Sequence, residues 1–149
     1  MLTSPDFKEL LKLFAAHDVR YLIIGGYAVM RHAEPRFTKD LDVLIAVDDE
    51  NASAVYEALR AFGAPLEGLT PADFASEGSY YQMGVPPMRV DVMMDVPGIG
   101  FGEAWKRRDT IDLAGVPVHF IGKQDLIRAK RASGRPQDLL DVAALEAGT

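Results

Sequence analysis

The stretch that decides the fold is Asp40-Leu41-Asp42-Val43-Leu44-Ile45-Ala46-Val47, an apolar run with two carboxylates at its start. Such a run predicts a β-strand, in which residues i and i+2 point to the same face of the sheet. Asp40 and Asp42 would point one way, while Leu41, Val43 and Ile45 point into a core. Two adjacent anions repel each other, and a hard divalent cation with oxygen ligands removes that conflict. The pattern therefore favours a metal site on the sheet.

Upstream of this strand, Gly25-Gly26 follows another apolar run. The order predicts a strand, a tight turn and then a short helix. Backbone N–H groups at a helix start favour phosphate, although a glycine pair after a strand is often only a turn.

The composition favours one compact domain over residues 1–149. Hydrophobic residues make up 48% of the chain, which is enough for a core, and no apolar stretch reaches the length of a membrane span. We expect a cytoplasmic protein with no membrane partner. The absence of cysteine excludes disulfides and thiolate ligands, and the three histidines, His17, His32 and His119, are too scattered for a familiar metal spacing, so any metal is held by oxygen. The net charge of −6 argues against broad nucleic-acid binding.

Hydrophobic periodicity predicts an α/β (α+β) fold with helices flanking a mixed, twisted sheet of about four to six strands. Helices are predicted from residue 4 or 5 to 16 and over 27–32, 50–62, 123–132 and 136–146, with a helical turn near 71–75. Strands are predicted over 20–24, 79–85, 88–94 and 116–121, with a hairpin at Pro86-Pro87 and a second strand that carries Asp40 and Asp42. The segment 111–113 precedes a turn at Gly115.

A third acid, Asp91, lies within the strand predicted over 88–94. A lone buried carboxylate costs several kcal/mol without a partner or a metal, so Asp91 is a candidate third ligand beside Asp40 and Asp42. Two alternatives stay open. Arg89 is two residues away on the same face and could simply pair with Asp91. The strand of Asp40 and Asp42 could also be an edge strand whose charges face solvent.

A basic segment near the C-terminus contains Arg128, Lys130, Arg131 and Arg135. Leu126 and Ile127 are predicted to face the core, and one helical turn later Lys130 and Arg131 could reach toward phosphates bound at the sheet. Solvated charge is the alternative, with Arg135 pairing with Asp138.

The combination of Gly-Gly, Asp-x-Asp on a strand and a third Asp on a later strand resembles the DNA polymerase β-like nucleotidyltransferase superfamily. Within it, 25–42, together with the closing Lys130-Arg131, Arg135 and 138–141, is similar to small bacterial AbiEii-type, toxin-like nucleotidyltransferases. The resemblance implies the minimal nucleotidyltransferase fold.

Carried over to this chain, the resemblance implies that Gly25 and Gly26 hold the phosphates of a nucleoside triphosphate. It implies that Asp40, Asp42 and Asp91 are catalytic and bind one or two Mg²⁺ ions. Arg36 and Thr38 flank the strand entrance and are candidate nucleotide-binding residues beside Lys130 and Arg131, although a structural turn would explain the first pair equally well.

The expected function is Mg²⁺-dependent transfer of a nucleoside monophosphate to a protein, a tRNA or a small molecule. A toxin with a cognate antitoxin would fit the resemblance. The alternatives are an antibiotic-modifying nucleotidyltransferase and a regulatory module that binds nucleotide without transfer.

Overall fold

The computed structural model describes residues 4–33, 38, 40–84 and 89–147. Within this part of the chain, helices and strands alternate up to residue 62, and beyond it two pairs of consecutive strands and a final pair of helices follow. In chain order the elements are α1 (Pro5–Ala16), β1 (Tyr21–Ile24), α2 (Gly25–His32), β2 (Leu41–Ile45), α3 (Asp49–Phe62), a 3₁₀ turn (Pro71–Ala75), β3 (Tyr80–Met83), β4 (Val90–Met93), α4 (Phe101–Lys106), β5 (Asp109–Leu113), β6 (Val116–Phe120), α5 (Lys123–Ser133) and α6 (Pro136–Ala147).

These strands form one mixed sheet in the order β3-β4-β2-β1-β6-β5. β2 runs antiparallel to β1 and parallel to β4, and β1 runs parallel to β6. The predicted α/β fold with a mixed sheet is confirmed. The edge-strand alternative is wrong, because β2 is hydrogen-bonded to a neighbour on each side. The antiparallel pairing of β3 with β4 is also confirmed, while Pro86-Pro87 lies outside the described residues.

The central strands are almost completely buried. All residues of β1 are buried, and in β2 every residue except Asp42 is buried. Leu44 belongs to the buried set together with Leu41, Val43 and Ile45, so the simple alternation predicted for β2 is wrong. Both faces of the sheet are covered at this strand, as is usual where neighbouring strands run parallel. Asp42 is thus the only polar interruption of a buried strand.

The helix boundaries follow local sequence signals. α1 begins after Ser4, whose hydroxyl accepts a hydrogen bond from the Phe7 N–H, and Pro5 occupies its first turn. α3 begins after Asp48, whose side chain accepts from the Asn51 N–H, and ends at Gly63 in the left-handed conformation. α1 and α3 pack against each other, which places this pair on the sheet as one layer.

Three helices gather around the end of β1 and the start of β2. α2 contacts β1 and β2, and it also contacts α5 and α6, which pack against each other. The predicted order of strand and helix is confirmed, but no separate turn lies between them, because α2 begins at Gly25, directly after β1, rather than at Tyr27. This arrangement brings the C-terminal helices against the Asp42 end of β2. In the described part of the chain, no helix has the length and apolar character that a membrane crossing requires.

Candidate active site

Two carboxylates face each other at the centre of the sheet. Asp42 on β2 and Asp91 on β4 are register partners in the parallel pair of strands, and their carboxyl groups are hydrogen-bonded. Asp40 precedes β2, lines the same cavity as Asp42 and adds its negative charge to that of Asp42. The structure therefore brings the three acids together.

The protonation of Asp42 is strongly perturbed. Burial raises the pKa of Asp42, the charge of Asp91 and the hydrogen bond with it raise the pKa further, and Asp40 adds to the effect. Arg89 acts in the opposite direction, and the resulting pKa is about 7. A carboxyl group that titrates near neutrality beside other acids is typical of a functional site, because folding alone gains nothing from such repulsion.

Arg89 supplies positive charge to the other two acids. Its Nη2 lies 2.8 Å from Asp40 Oδ2 and 3.6 Å from Asp91 Oδ2. Gln82 on β3 donates a hydrogen bond of 2.8 Å from its Nε2 to Asp91 Oδ1. The pairing of Arg89 with Asp91 that the sequence left open is present, but the shorter contact of Arg89 is with Asp40.

Gly25 is required by the geometry of Asp42. Its φ is +70°, a conformation that favours glycine, and a Cβ at this position would lie 2.3 Å from Asp42 Oδ2. The glycine thus lets the carboxylate of Asp42 lie directly against the first residue of α2. Because the unpaired N–H groups of a helix start point outward here, Asp42 and the helix N-terminus border the same space.

α5 and α6 form a charged wall opposite this end of the sheet. Lys130 is 8% exposed, and its Nζ lies 3.0 Å from Asp141 Oδ2 and 3.4 Å from Asp138 Oδ1. Asp138 and Asp141 are themselves buried on the inner side of α6. The ammonium group of Lys130 is therefore largely engaged by two carboxylates within the protein.

Arg135 sits at the turn between the two helices and holds the start of α6. Its Nε donates to Asp138 Oδ2 over 2.8 Å, which confirms the pairing suggested by the sequence. Burial pushes the pKa of Asp138 upward, but the hydrogen bond from Arg135 and the charges of Lys130 and Arg135 outweigh burial, so the pKa is lowered. Arg135 keeps a mostly exposed side chain, which leaves its outer N–H groups available to a ligand.

Two cavities meet at Asp42. One has a volume of about 340 Å³ and a polar lining that includes Gly25, Gly26 and Thr38. The other has a volume of about 470 Å³ and a lining with many apolar side chains, among them Met93, Val96 and Leu126. Both cavities are bordered by the same residues at their junction, which are Gly25, Asp42, Lys130, Arg135 and Asp138.

The nucleotide-binding residues predicted from the sequence fall into three groups. Gly25, Gly26, Thr38 and Lys130 line the polar cavity. Arg131 borders neither cavity and pairs with Glu146 on the outside of α6. Arg36 lies outside the described residues, so its role stays a prediction.

Sequence reasoning did not assign site roles to Arg89, Gln82 or Gln137. Gln137 lines the polar cavity and donates to Asp141 Oδ1, while Arg89 and Gln82 contact the acids directly. The signal for Arg89 was its i, i+2 spacing to Asp91, but its contact with Asp40 depends on strand order. No signal within one strand could have found Gln82, because it reaches Asp91 across the β3–β4 register.

The three acids are the candidate metal ligands of this chain. Among the described residues, no group of three or more His, Cys, Asp or Glu side chains is arranged to hold a metal ion. Asp42 and Asp91 nevertheless offer adjacent oxygen atoms, and Asp40 Oδ1 is buried with no hydrogen-bond partner in the described part of the chain. Oxygen donors of this kind suit a hard cation such as Mg²⁺. Asp42 and Asp91 therefore fit a hard cation as a pair of carboxylates, with Asp40 and Arg89 beside them.

The fold is that of nucleotidyltransferases. The lincosamide antibiotic adenylyltransferase LnuA, solved with lincomycin bound, matches with a TM-score of 0.63 at 17% identity over 99% of this chain and 98% of that one. A putative nucleotidyltransferase from Thermotoga maritima matches with a TM-score of 0.62 at 12% identity over 96% and 91% of the two chains. The antibiotic-resistance factor ANT(2'')-Ia matches with a TM-score of 0.59 at 12% identity over 96% and 80%. At such identities the likeness shows the fold alone.

Residues 6–146 match the family described as "Nucleotidyltransferase of unknown function (DUF6036)", and the chain belongs to this family. No curated protein matches the chain. The resemblance to nucleotidyltransferases is thus confirmed, whereas the AbiEii-type subclass stays a prediction.

Proposed function

We propose that this chain transfers a nucleoside monophosphate from a nucleoside triphosphate to an acceptor hydroxyl, in a Mg²⁺-dependent reaction at Asp40, Asp42 and Asp91. The observation that carries the proposal is the hydrogen-bonded pair of Asp42 and Asp91 on adjacent central strands, directly beside Gly25 and the start of α2. Here the buried centre of the sheet contains charge that destabilises it, and Asp42 lines both cavities.

The polar cavity suits the triphosphate. Gly25 and Gly26 place backbone N–H groups at the start of α2, where phosphate is favoured, and Thr38 adds a hydroxyl. Arg135 offers exposed guanidinium donors on the opposite wall. Lys130 contributes charge rather than a free ammonium group, because Asp138 and Asp141 already contact it.

The reaction requires a new bond between the acceptor oxygen and the α-phosphorus, and cleavage of the bond from the α-phosphorus to the bridging oxygen of pyrophosphate. In this proposal Asp91 accepts the proton of the acceptor hydroxyl and Asp42 holds the cation next to it. Asp40 becomes a further cation ligand when it is not paired with Arg89. Mg²⁺, when bound, neutralises charge on the phosphates and on the departing pyrophosphate. Gly25 keeps the phosphates within reach of Asp42, because no side chain separates them.

The larger cavity is the space left for the acceptor or the nucleobase. Its apolar lining suits a ring system or an apolar side chain. A protein, a tRNA end and a small molecule all remain acceptors under this proposal, and the AbiEii-type resemblance favours a toxin with a cognate antitoxin.

The second candidate function is modification of an antibiotic. It is favoured by the similarity of the fold to that of LnuA, a lincosamide antibiotic adenylyltransferase solved with lincomycin bound. The cavity of about 470 Å³ beside Asp42 lies in the range that holds small molecules.

The experiment supplies each labelled nucleoside triphosphate with Mg²⁺ to the chain, together with cell protein, tRNA or a panel of aminoglycosides and lincosamides. Wild type is compared with Asp42→Asn and with Asp49→Asn, an exposed acid at the start of α3 that lines neither cavity. Metal-dependent transfer that is lost only in Asp42→Asn supports the proposal, and the labelled pool identifies the acceptor. Nucleotide binding with no labelled product in any pool would instead indicate a regulatory module.

Expression in growing cells separates the two candidates. A toxin arrests growth without any drug and is relieved by Asp42→Asn, whereas a drug-modifying enzyme leaves growth unchanged and raises resistance to its substrate.

A further inference from the structure

The acidic site contains a cation of its own. The Arg89 guanidinium lies 2.8 Å from Asp40 Oδ2 and 3.6 Å from Asp91 Oδ2, so one positive charge is shared by two of the three carboxylates. Its side chain is one third exposed, and the side chain of Asp91 is only 14% exposed. This is a contact inside the site rather than a solvated surface pair.

The backbone fixes Arg89 in this position. The Leu41 N–H donates a 2.9 Å hydrogen bond to the Arg89 carbonyl oxygen, which ties the residue before β4 to the first residue of β2. Arg89 lies directly before β4, two residues from Asp91 along the same extended segment, so the two side chains share a face. Asp40, directly before Leu41, is thereby held opposite the guanidinium.

Asp42 differs from its two neighbours. In the described part of the chain, no Lys, Arg or His side chain lies within ion-pair distance of Asp42. Asp42 also lines both cavities, so an external cation can reach it, while Asp40 and one oxygen of Asp91 already face Arg89. The positive charge in this site is unevenly distributed along the row of carboxylates.

We propose that Arg89 occupies the place of one divalent cation between Asp40 and Asp91, so that the substrate-free chain accepts a single divalent ion, at Asp42 and Asp91. This inference rests on the nucleotidyl-transfer function proposed above and describes what limits the number of divalent ions that its acidic site binds. Arg89 is a positioning residue: it holds Asp40 and Asp91 at a fixed separation, and it repels a second cation from Asp40. Asp40 can bind a second cation only after Arg89 leaves it.

The test counts Mn²⁺ ions by electron paramagnetic resonance, from the signal of free Mn²⁺ in a titration of the purified chain with the metal alone. We expect wild type to bind one ion and Arg89→Gln to bind two. The second ion of Arg89→Gln should bind at least about tenfold more tightly than any second ion in wild type, and a tenfold difference in affinity corresponds to about 1.4 kcal/mol. Arg89→Lys keeps the charge and should retain the wild-type count. Arg60→Gln removes an exposed arginine from α3 and should do the same.

Equal counts and affinities in wild type and Arg89→Gln would overturn the inference. If Arg89→Gln does not fold, Arg89→Met is titrated in its place. Methionine also removes the positive charge, so Arg89→Met should gain the same second Mn²⁺ ion, and a second-ion affinity equal to that of wild type would overturn the inference.

The two proposals fail differently. Label transfer that depends on Asp42, together with an unchanged Mn²⁺ count in Arg89→Gln, would leave nucleotidyl transfer standing and remove the role of Arg89. A gained Mn²⁺ ion without any label transfer would do the reverse.

Discussion

Replacing Asp42 by asparagine should stabilise the protein at neutral and alkaline pH while abolishing nucleotidyl transfer. The pKa of Asp42 is raised to about 7 by burial, by Asp91 and by Asp40, from an ordinary value of 3.8. A carboxyl whose pKa is higher in the folded state stabilises that state below its unfolded pKa. This contribution is lost as the pH rises through the folded pKa. Between about pH 4 and pH 7, the free energy of unfolding of wild type should therefore fall, while that of Asp42→Asn keeps this contribution because asparagine does not ionise.

The magnitude follows from the size of the pKa change. One pKa unit corresponds to about 1.4 kcal/mol, so a rise from 3.8 to about 7 gives an upper value near 4 kcal/mol. Asp42 shares its proton with Asp91, and Arg89 opposes the shift, so we expect about 2 to 4 kcal/mol. Asparagine can still donate a hydrogen bond to Asp91, as the protonated carboxyl does.

The assay is urea unfolding followed by circular dichroism at pH 4, 6 and 8, in a chelator that removes divalent metals. The free energy of unfolding of Asp42→Asn minus that of wild type should grow across this range. Asp49→Asn, at an exposed acid, should give a nearly constant difference. Parallel pH profiles for wild type and Asp42→Asn would refute the reasoning. With Mg²⁺ at about 100 times its Kd, wild type should regain roughly 2.7 kcal/mol and the variant should not.

Two further substitutions test the neighbours of this carboxylate. Gly25→Ala should lower the free energy of unfolding more than Gly63→Ala does, and it should also abolish transfer. Both glycines have positive φ, which costs alanine about 1 kcal/mol, but only at Gly25 would the added methyl group meet Asp42, at 2.3 Å from Oδ2. Equal losses of unfolding free energy in urea would contradict this. Lys130→Met should lower the free energy of unfolding by about 3 kcal/mol, because it leaves two buried carboxylates without their shared cation. Arg131→Met removes an exposed ion pair and should lower it by less than about 1 kcal/mol. Similar thermal midpoints for the two variants would show that Lys130 does not stabilise the fold.

Much of the fold could be predicted because its signals are local. The helix from residue 5 to 16, the strand after it and the helices at 123–133 and 136–147 follow from apolar periodicity and from proline and glycine at their ends. The shared face of Asp40 and Asp42 follows from the geometry of one strand. These features depend on residues close together in the chain, so a single sequence contains them.

The remaining features depend on which strands become neighbours. The central position of β2 made the edge-strand alternative wrong, and it also explains why Leu44 is buried. The contacts of Arg89 with Asp40 and of Gln82 with Asp91 cross between strands, so no spacing within one segment encodes them. Lys130 was predicted to face the phosphates, but its burial between two acids of α6 depends on how α5 and α6 pack.

The distribution of charge implies that metal and nucleotide bind together. The polar cavity is lined by more acids than bases, with Lys130 and Arg135 against Asp40, Asp42, Asp138 and Asp141. Arg135 and Lys130 are already paired with Asp138 and Asp141, so the positive charge left for a triphosphate is small. A polyanion entering this space would face the negative charge of Asp40 and Asp42, unless a divalent cation lies between phosphate and carboxylate. Under the proposed function, we therefore expect the protein's own cations to orient the phosphates and the affinity for the triphosphate to depend on a divalent ion at Asp42.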